Sequence, residues 1–153
     1  MQNTPTFSFI IPVFNAEKWI KFAISSILNQ SSSDWEAILI NDGSSDQTLS
    51  MLQEYQSKFP NKFIIKTISN SGPAKARSIA AKLSSGKYVL ILDSDDYVSE
   101  DYIQQLGDTL ISYPNADMII PELMSEKRNG LWVSFNELHK LKQGQVLNGI
   151  EAF

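Results

Sequence analysis

The chain has 153 residues, 42% of them hydrophobic and 20% charged, with a formal net charge of −4, one histidine and no cysteine. That is the makeup of a single globular domain with a sizeable core. It excludes a disulfide scaffold, a cysteine-ligated or multi-histidine zinc site, and electrostatically driven nucleic-acid binding, so any metal must be held by oxygen. The N-terminal stretch MQNTPTFSFIIPVFN has no basic segment, and its apolar run is too short for a signal peptide or a membrane span. The expected setting is reducing and cytoplasmic, with contact to the inner face of a membrane open to regions outside this sequence.

Residues 7–13 (FSFIIPV) form an apolar, β-branched run and predict a first strand, with Pro12 near its end because proline cannot donate to a ladder. Asn15 is placed to cap a helix whose stripe is Trp19, Ile20, Ala23, Ile24, Ile27 and Leu28. Residues 35–40 (WEAILI) predict a second strand running into the turn NDGSSD, where Ser44 or Ser45 can cap the next helix. That helix carries Leu49, Leu52, Tyr55 and Phe59, and Pro60 stops it. Residues 63–68 (FIIKTI) predict a third strand. After the turn NSGP, Pro73 opens a helix of small residues that ends at Gly86. Residues 88–92 (YVLIL) predict a fourth strand buried on both faces. Ser99 then caps a helix with Glu100 and Asp101 in its first turn and Ile103, Leu106 and Leu110 buried. Residues 116–120 (ADMII) predict a fifth strand. The alternation is that of a doubly wound, Rossmann-like, mostly parallel α/β sheet with helices on both faces. It divides the chain into 1–121 and a less periodic 122–153, where residues 131–135 suggest a strand and 137–141 a short helix. The final NGIEAF reads as a helix cut off within one turn, so the native protein is expected to continue further.

The fourth strand runs directly into Asp93, Ser94, Asp95 and Asp96. In open α/β sheets ligands bind beyond the carboxyl ends of the strands, so these groups stand where a ligand is expected. Three carboxylates in four residues repel one another, and a divalent cation relieves that repulsion. Magnesium-like ions are commonly bound by one or two carboxylates plus substrate phosphates. Alone, D-x-D is better read as a solvated turn in which Asp93 or Ser94 caps the next helix. Asn15 after the first strand and Asp42 after the second add polar groups to the same rim, a set that suits a nucleotide diphosphate. There is no G-x-G-x-x-G after the first strand and no G-x-x-x-x-G-K-[ST], which disfavours dinucleotide and P-loop sites.

The segments SFIIPVFNAEKWIKFAISSILNQ, WEAILINDGSSDQT, NSGPAKARS and GKYVLILDSDD together resemble the N-terminal half of family-2 glycosyltransferases of the GT-A fold. The resemblance implies transfer of a sugar from a nucleotide-diphosphate donor, a UDP- or dTDP-sugar, to a glycan or lipid-linked acceptor with inversion. It also implies a divalent cation, Mn2+ or Mg2+, on the diphosphate. By that resemblance Pro12, Val13, Asn15 and Glu17 flank the nucleoside, Asp42 reads the base and Arg77 helps hold the nucleotide. Asp93 contacts ribose or metal, Ser94 lies beside the diphosphate, and Asp95 is the main metal ligand. Ser78 stands where many relatives carry Asn. The family's base, an Asp in a Glu-Asp pair well after D-x-D, has no counterpart here, because Glu100-Asp101 comes too soon. The chain is therefore expected to bind donor and to lack the catalytic base. Two other readings compete. A sugar-phosphate nucleotidyltransferase needs a Gly-rich basic loop after the first strand. A non-catalytic receiver-like domain clusters its carboxylates after the first strand. Neither pattern is present.

Overall fold

The computed structural model describes residues 4–119 and, as backbone, two short strands beyond them. The chain divides into two units, Met1–Pro114 and Asn115–Phe153. In the first, strands β1 (Phe7–Val13), β2 (Trp35–Asn41), β3 (Phe63–Thr67) and β4 (Tyr88–Ile91) alternate with helices α1 (Ile20–Leu28), α2 (Thr48–Lys58), α3 (Pro73–Leu83) and α4 (Tyr102–Ser112). All four strands are parallel, in the order β3-β2-β1-β4, with Phe7 opposite both Trp35 and Tyr88. The chain steps outward from β1 to β3 and then back across two strands to β4. Right-handed crossovers therefore place α3 on the opposite face from α1 and α2.

The side chains bear this out. On one face Ile10, Ile38 and Ile40 pack with Ala76 and Ala80 of α3, whose methyl side chains let the helix lie close to the sheet. On the other face Phe9 meets Trp35 and Tyr102, while Phe63 meets Trp35, Tyr55 and Phe59. Ile20, Ala23, Ile24 and Ile27 supply the buried stripe of α1. The loop before α4 is tied to the end of α1: Gln30 donates to the Ser99 carbonyl and accepts from the Ile103 N–H, and the Ser31 N–H donates to the Glu100 carbonyl.

Several expectations are corrected. Among the described residues β4 lies at the edge of this sheet and is not buried on both faces. Val89 and Ile91 point to the face that α3 covers over β1 and β2, and Ile91 is 65% exposed. The run 116–119 is not a strand, and Ile120 lies outside the described residues. Met118 is 74% exposed, so the run has found no apolar surface among the described residues to bury against. Asn15 does not cap α1, whose N-cap position is Trp19. Trp19 also falls outside the buried stripe. The N-cap positions of α2 and α4 are Gln47 and Asp101 rather than Ser44, Ser45 or Ser99, so Glu100 and Asp101 precede the first turn of α4. Helix α3 stops at Leu83, short of Gly86. In the second unit Met124–Glu126 pairs antiparallel with Trp132–Ser134, a strand pair of which the sequence suggested only the latter half. The short helix at 137–141 and the helix start after Asn148 lie outside the described residues.

Gly86 serves packing instead of a helix end. Its N–H donates to Ser8 Oγ at 2.9 Å, and Ser8 Oγ donates to Glu36 Oε1 at 2.7 Å. The same carboxylate oxygen accepts from the Ser85 N–H and Oγ. Burial alone would raise the Glu36 pKa, but the hydrogen bonds from Ser8, Ser85 and Gly86 outweigh it and hold it below the ordinary value. A Cβ on Gly86 would sit 2.5 Å from Ser8 Oγ and 2.9 Å from the backbone of Phe7 and Ser8. Overpacking against backbone costs about 1–3 kcal/mol. Gly86→Ala is expected to lower the melting temperature by roughly 3–10 °C, whereas Gly107→Ala, where a Cβ meets nothing within 4 Å, leaves it unchanged or higher. Equal melting of the two variants in a thermal scan would contradict this reading.

Candidate functional site at the strand tips

Because the four strands are parallel, their carboxyl ends share one rim, and the strand order reverses between β1 and β4. Ligands in such sheets bind at this switch point. Pro12 and Val13 end β1, and Val13 is fully buried. The Asp42 N–H continues the ladder to the Val13 carbonyl at 2.8 Å, and the Leu92 N–H does the same to Ile10. The segments bearing Asn15, Asp42 and Asp93 are thereby brought to neighbouring positions on the rim.

Asp42 is only 3% exposed. Its two carboxylate oxygens accept backbone N–H bonds from Ser71 at 2.7 Å and Gly72 at 2.8 Å. A carboxylate has about four acceptor sites, so both oxygens keep capacity for a ligand donor. Gly43 makes the approach possible: its φ of +74° is left-handed, and a Cβ there would meet the Asn70 backbone nitrogen at 3.0 Å. The loop leading into α3 is thus held on the β2 tip, with Pro73 as the first residue of the helix.

One helical turn on, Arg77 reaches across the rim. Its Nη2 donates to Asp93 Oδ1 at 2.5 Å, an ion pair that is partly exposed. Arg77 Nε is buried without a hydrogen-bond partner among the described residues. The pairing joins α3 to the β4 tip through Asp93 Oδ1. Ser94 is half-buried and Asp95 exposed. The Asp96 N–H closes a turn onto the Asp93 carbonyl, and its carboxyl pKa is raised by burial, with the charges of Asp95 and Asp93 adding to the effect. No group of three or more acidic, histidine or cysteine side chains that could hold a metal forms among the described residues. Asp93 and Asp95 are instead two carboxylates on an open turn, a set that fits a hard cation completing its shell with phosphates and water.

Asn15 and Glu17 do more than the sequence suggested. Asn15 has a left-handed φ of 48°. Its N–H donates to Ser44 Oγ, and its Oδ1 accepts from the Ser45 N–H at 2.9 Å. The Glu17 carboxylate accepts the Gln47 N–H at 3.0 Å, the Glu17 N–H donates to Asp46 Oδ2, and the Ala16 N–H donates to Thr48 Oγ1. The loop after β1 thus caps the start of α2, and the loop after β2 holds the loop after β1. Phe14, half-exposed at the end of β1, is a site neighbour that sequence reasoning passed over. An aromatic left in water directly beyond a strand tip was the available signal.

A doubly wound sheet with acidic tips on either side of its switch point and an arginine tying two of its elements is a frame suited to a ligand at the strand tips. The profile of Glycosyl transferase family 2 matches residues 8–149, and the chain belongs to that family. A glycosyltransferase of Haemophilus influenzae is 39% identical over 103 residues, which is 67% of this chain and 41% of that protein. The poly(ribitol-phosphate) beta-glucosyltransferase of Bacillus spizizenii is 37% identical over 97 residues, 61% of this chain and 15% of that protein. The crystal structure of S. aureus TarS 1–349 in complex with UDP superposes with a TM-score of 0.67 at 28% identity, covering 76% of this chain and 38% of that one. The fold is therefore GT-A, and the chain spans less than half the length of each of these relatives.

Proposed function

We propose that the rim binds the nucleotide diphosphate of a sugar donor and that the protein transfers the sugar with inversion. The carrying observation is the convergence of Asp42, Arg77 and Asp93 at the switch point. Asp42, fixed by two backbone amides, accepts a base N–H such as that of uracil or thymine, and the exposed ring of Phe14 offers a face for stacking. Pro12, Val13, Asn15 and Glu17 shape the nucleoside side of the cleft, the latter two chiefly by holding its wall. Asp93 takes a ribose hydroxyl or shares the cation with Asp95, and Ser94 faces the diphosphate. A bound Mn2+ or Mg2+ on Asp93 and Asp95 would stabilise negative charge on the leaving diphosphate.

A uridine donor is favoured because the TarS structures are those of complexes with UDP and with UDP-GlcNAc. The acceptor class is a glycan or a lipid-linked acceptor; some relatives are named for poly(ribitol-phosphate), a hydroxyl-bearing polyol phosphate polymer. Neither Glu100 nor Asp101 serves as the base. Both stand at the start of α4, on the segment tied through the Ser99 and Glu100 carbonyls to Gln30 and Ser31 beyond the far end of α1, away from the strand tips. No other acid is proposed as the base, and the chain binds donor without the family's downstream Glu-Asp pair.

The test is a thermal-shift series with nucleoside diphosphates, each with and without manganese. At ligand near 100 times Kd the gain is about 2.7 kcal/mol, which raises the melting temperature by roughly 5–10 °C. UDP or TDP with manganese is expected to give the largest rise, and no rise with any nucleotide would count against the reading.

A further inference from the structure

Helix α1 turns a second, unused face to solvent. Its buried stripe faces the sheet, while Lys18, Trp19, Lys21 and Phe22 are exposed at its N-terminal end. Trp19 is 54% and Phe22 53% exposed, and the Phe22 N–H donates to the Trp19 carbonyl, so the two rings project from one turn. Lys21 Nζ lies 4.9 Å from the centre of the Phe22 ring. The stretch KWIKFAISSILNQ contains no acid, and the only ion pairs among the described residues are Lys58–Glu54 and Arg77–Asp93. Glu17, the nearest acid in sequence before it, accepts the Gln47 N–H. Two large aromatics and two unneutralised lysines therefore form a local basic, apolar patch on a chain of net charge −4.

We infer that the Lys18–Trp19–Lys21–Phe22 face of α1 docks on an anionic lipid surface. Tryptophan and phenylalanine settle at the headgroup boundary, and lysines beside them draw the face toward anionic lipid. Charge also argues against a second copy as the occupant. A two-fold contact brings each surface patch onto its own counterpart, so it would set these lysines against one another. The patch begins at the β1 end of the rim, so docking there turns the strand tips toward the membrane. That orientation would present the site to an acceptor carried in the lipid surface, a consequence that rests on the donor-site reading above, whereas the docking itself does not.

The test is co-sedimentation of the 153-residue chain with vesicles of equal parts phosphatidylglycerol and phosphatidylcholine, and with pure phosphatidylcholine vesicles. Binding to the anionic vesicles is expected, with release at high salt and little binding to the neutral ones. Each lysine near such a surface contributes about fivefold in partitioning. Lys18→Glu with Lys21→Glu is therefore expected to reduce binding by at least about 25-fold, and Trp19→Ser with Phe22→Ser to abolish it. Melting temperature and the nucleotide-induced shift, measured on the same variants, should be retained. Absence of binding, equal binding to both vesicle types, or binding unchanged in both folded variants would overturn the proposal. So would a concentration-dependent dimer lost in the aromatic variant without vesicle binding. Vesicle binding without any nucleotide shift would instead count against the donor site alone.

Discussion

Asp95→Asn is expected to remove the manganese-dependent part of the nucleotide response while the unliganded protein melts at or above its original temperature. Asp95 is exposed, makes no ion pair among the described residues, and sits beside two like charges at Asp93 and Asp96. Removing one member of a repelling cluster should cost little stability and can gain some. A cation held by only two carboxylates loses half its protein ligands in this substitution, and an amide oxygen carries no charge to replace one. The check is the melting temperature with UDP, with and without manganese, for both proteins. Retention of the metal response in Asp95→Asn would remove the cation from this turn. Loss of the fold would make the turn a structural cap.

Asp42→Ala should produce the other large effect, and by two routes. It removes the acceptor offered to the base, and it frees the Ser71 and Gly72 amides that bind the α3 entrance loop to the β2 tip. Hydrogen bonds to a charged group contribute about 1.5–3 kcal/mol each, so loss of the base contact alone is expected to lower UDP affinity by about 10–150-fold, and loosening of the loop lowers it further. The metal response should survive wherever binding can still be measured. Asp42→Asn separates the routes, because its one carbonyl oxygen can keep one of the two amides. If titration calorimetry shows Asn binding UDP as tightly as Asp, neither the charge of this carboxylate nor its second loop amide is needed for binding.

Strands β1 and β2 were legible because their apolar runs bury between neighbouring strands and under helices. Strand β3, at the other edge, was legible from its run FIIKT although only Phe63 is buried, and Pro73 announced the start of α3. The β4 run misled for a physical reason. Five apolar residues specify a strand that can be covered on both faces, but its cover depends on what lies beside it. Among the described residues β4 has a neighbour on one side only. Asn15 misled differently. Local sequence offers it the next helix to cap, yet its partners are Ser44 and Ser45, some thirty positions away (|i−j| of 29 and 30). The two amides on Asp42 are equally distant in sequence and equally invisible from it. The Arg77–Asp93 pair lay between two residues already singled out, but only the fold places the α3 side chain against the β4 tip. Predicting the strand at 116–120 rested on composition alone, with Asp117 interrupting the run.

The mutual capping of the loops after β1 and β2 constrains how the protein can vary in length. Asn15, Ala16 and Glu17 exchange hydrogen bonds with Ser44, Ser45, Asp46, Gln47 and Thr48 nearly residue for residue. A single inserted or deleted residue in either loop would shift that pairing and strip acceptors from the Ser45 and Gln47 amides that lead into α2. Neither loop can lengthen alone. Natural insertions are therefore expected to spare both segments and to fall where no such reciprocal ladder exists, as in the exposed turn between α2 and β3.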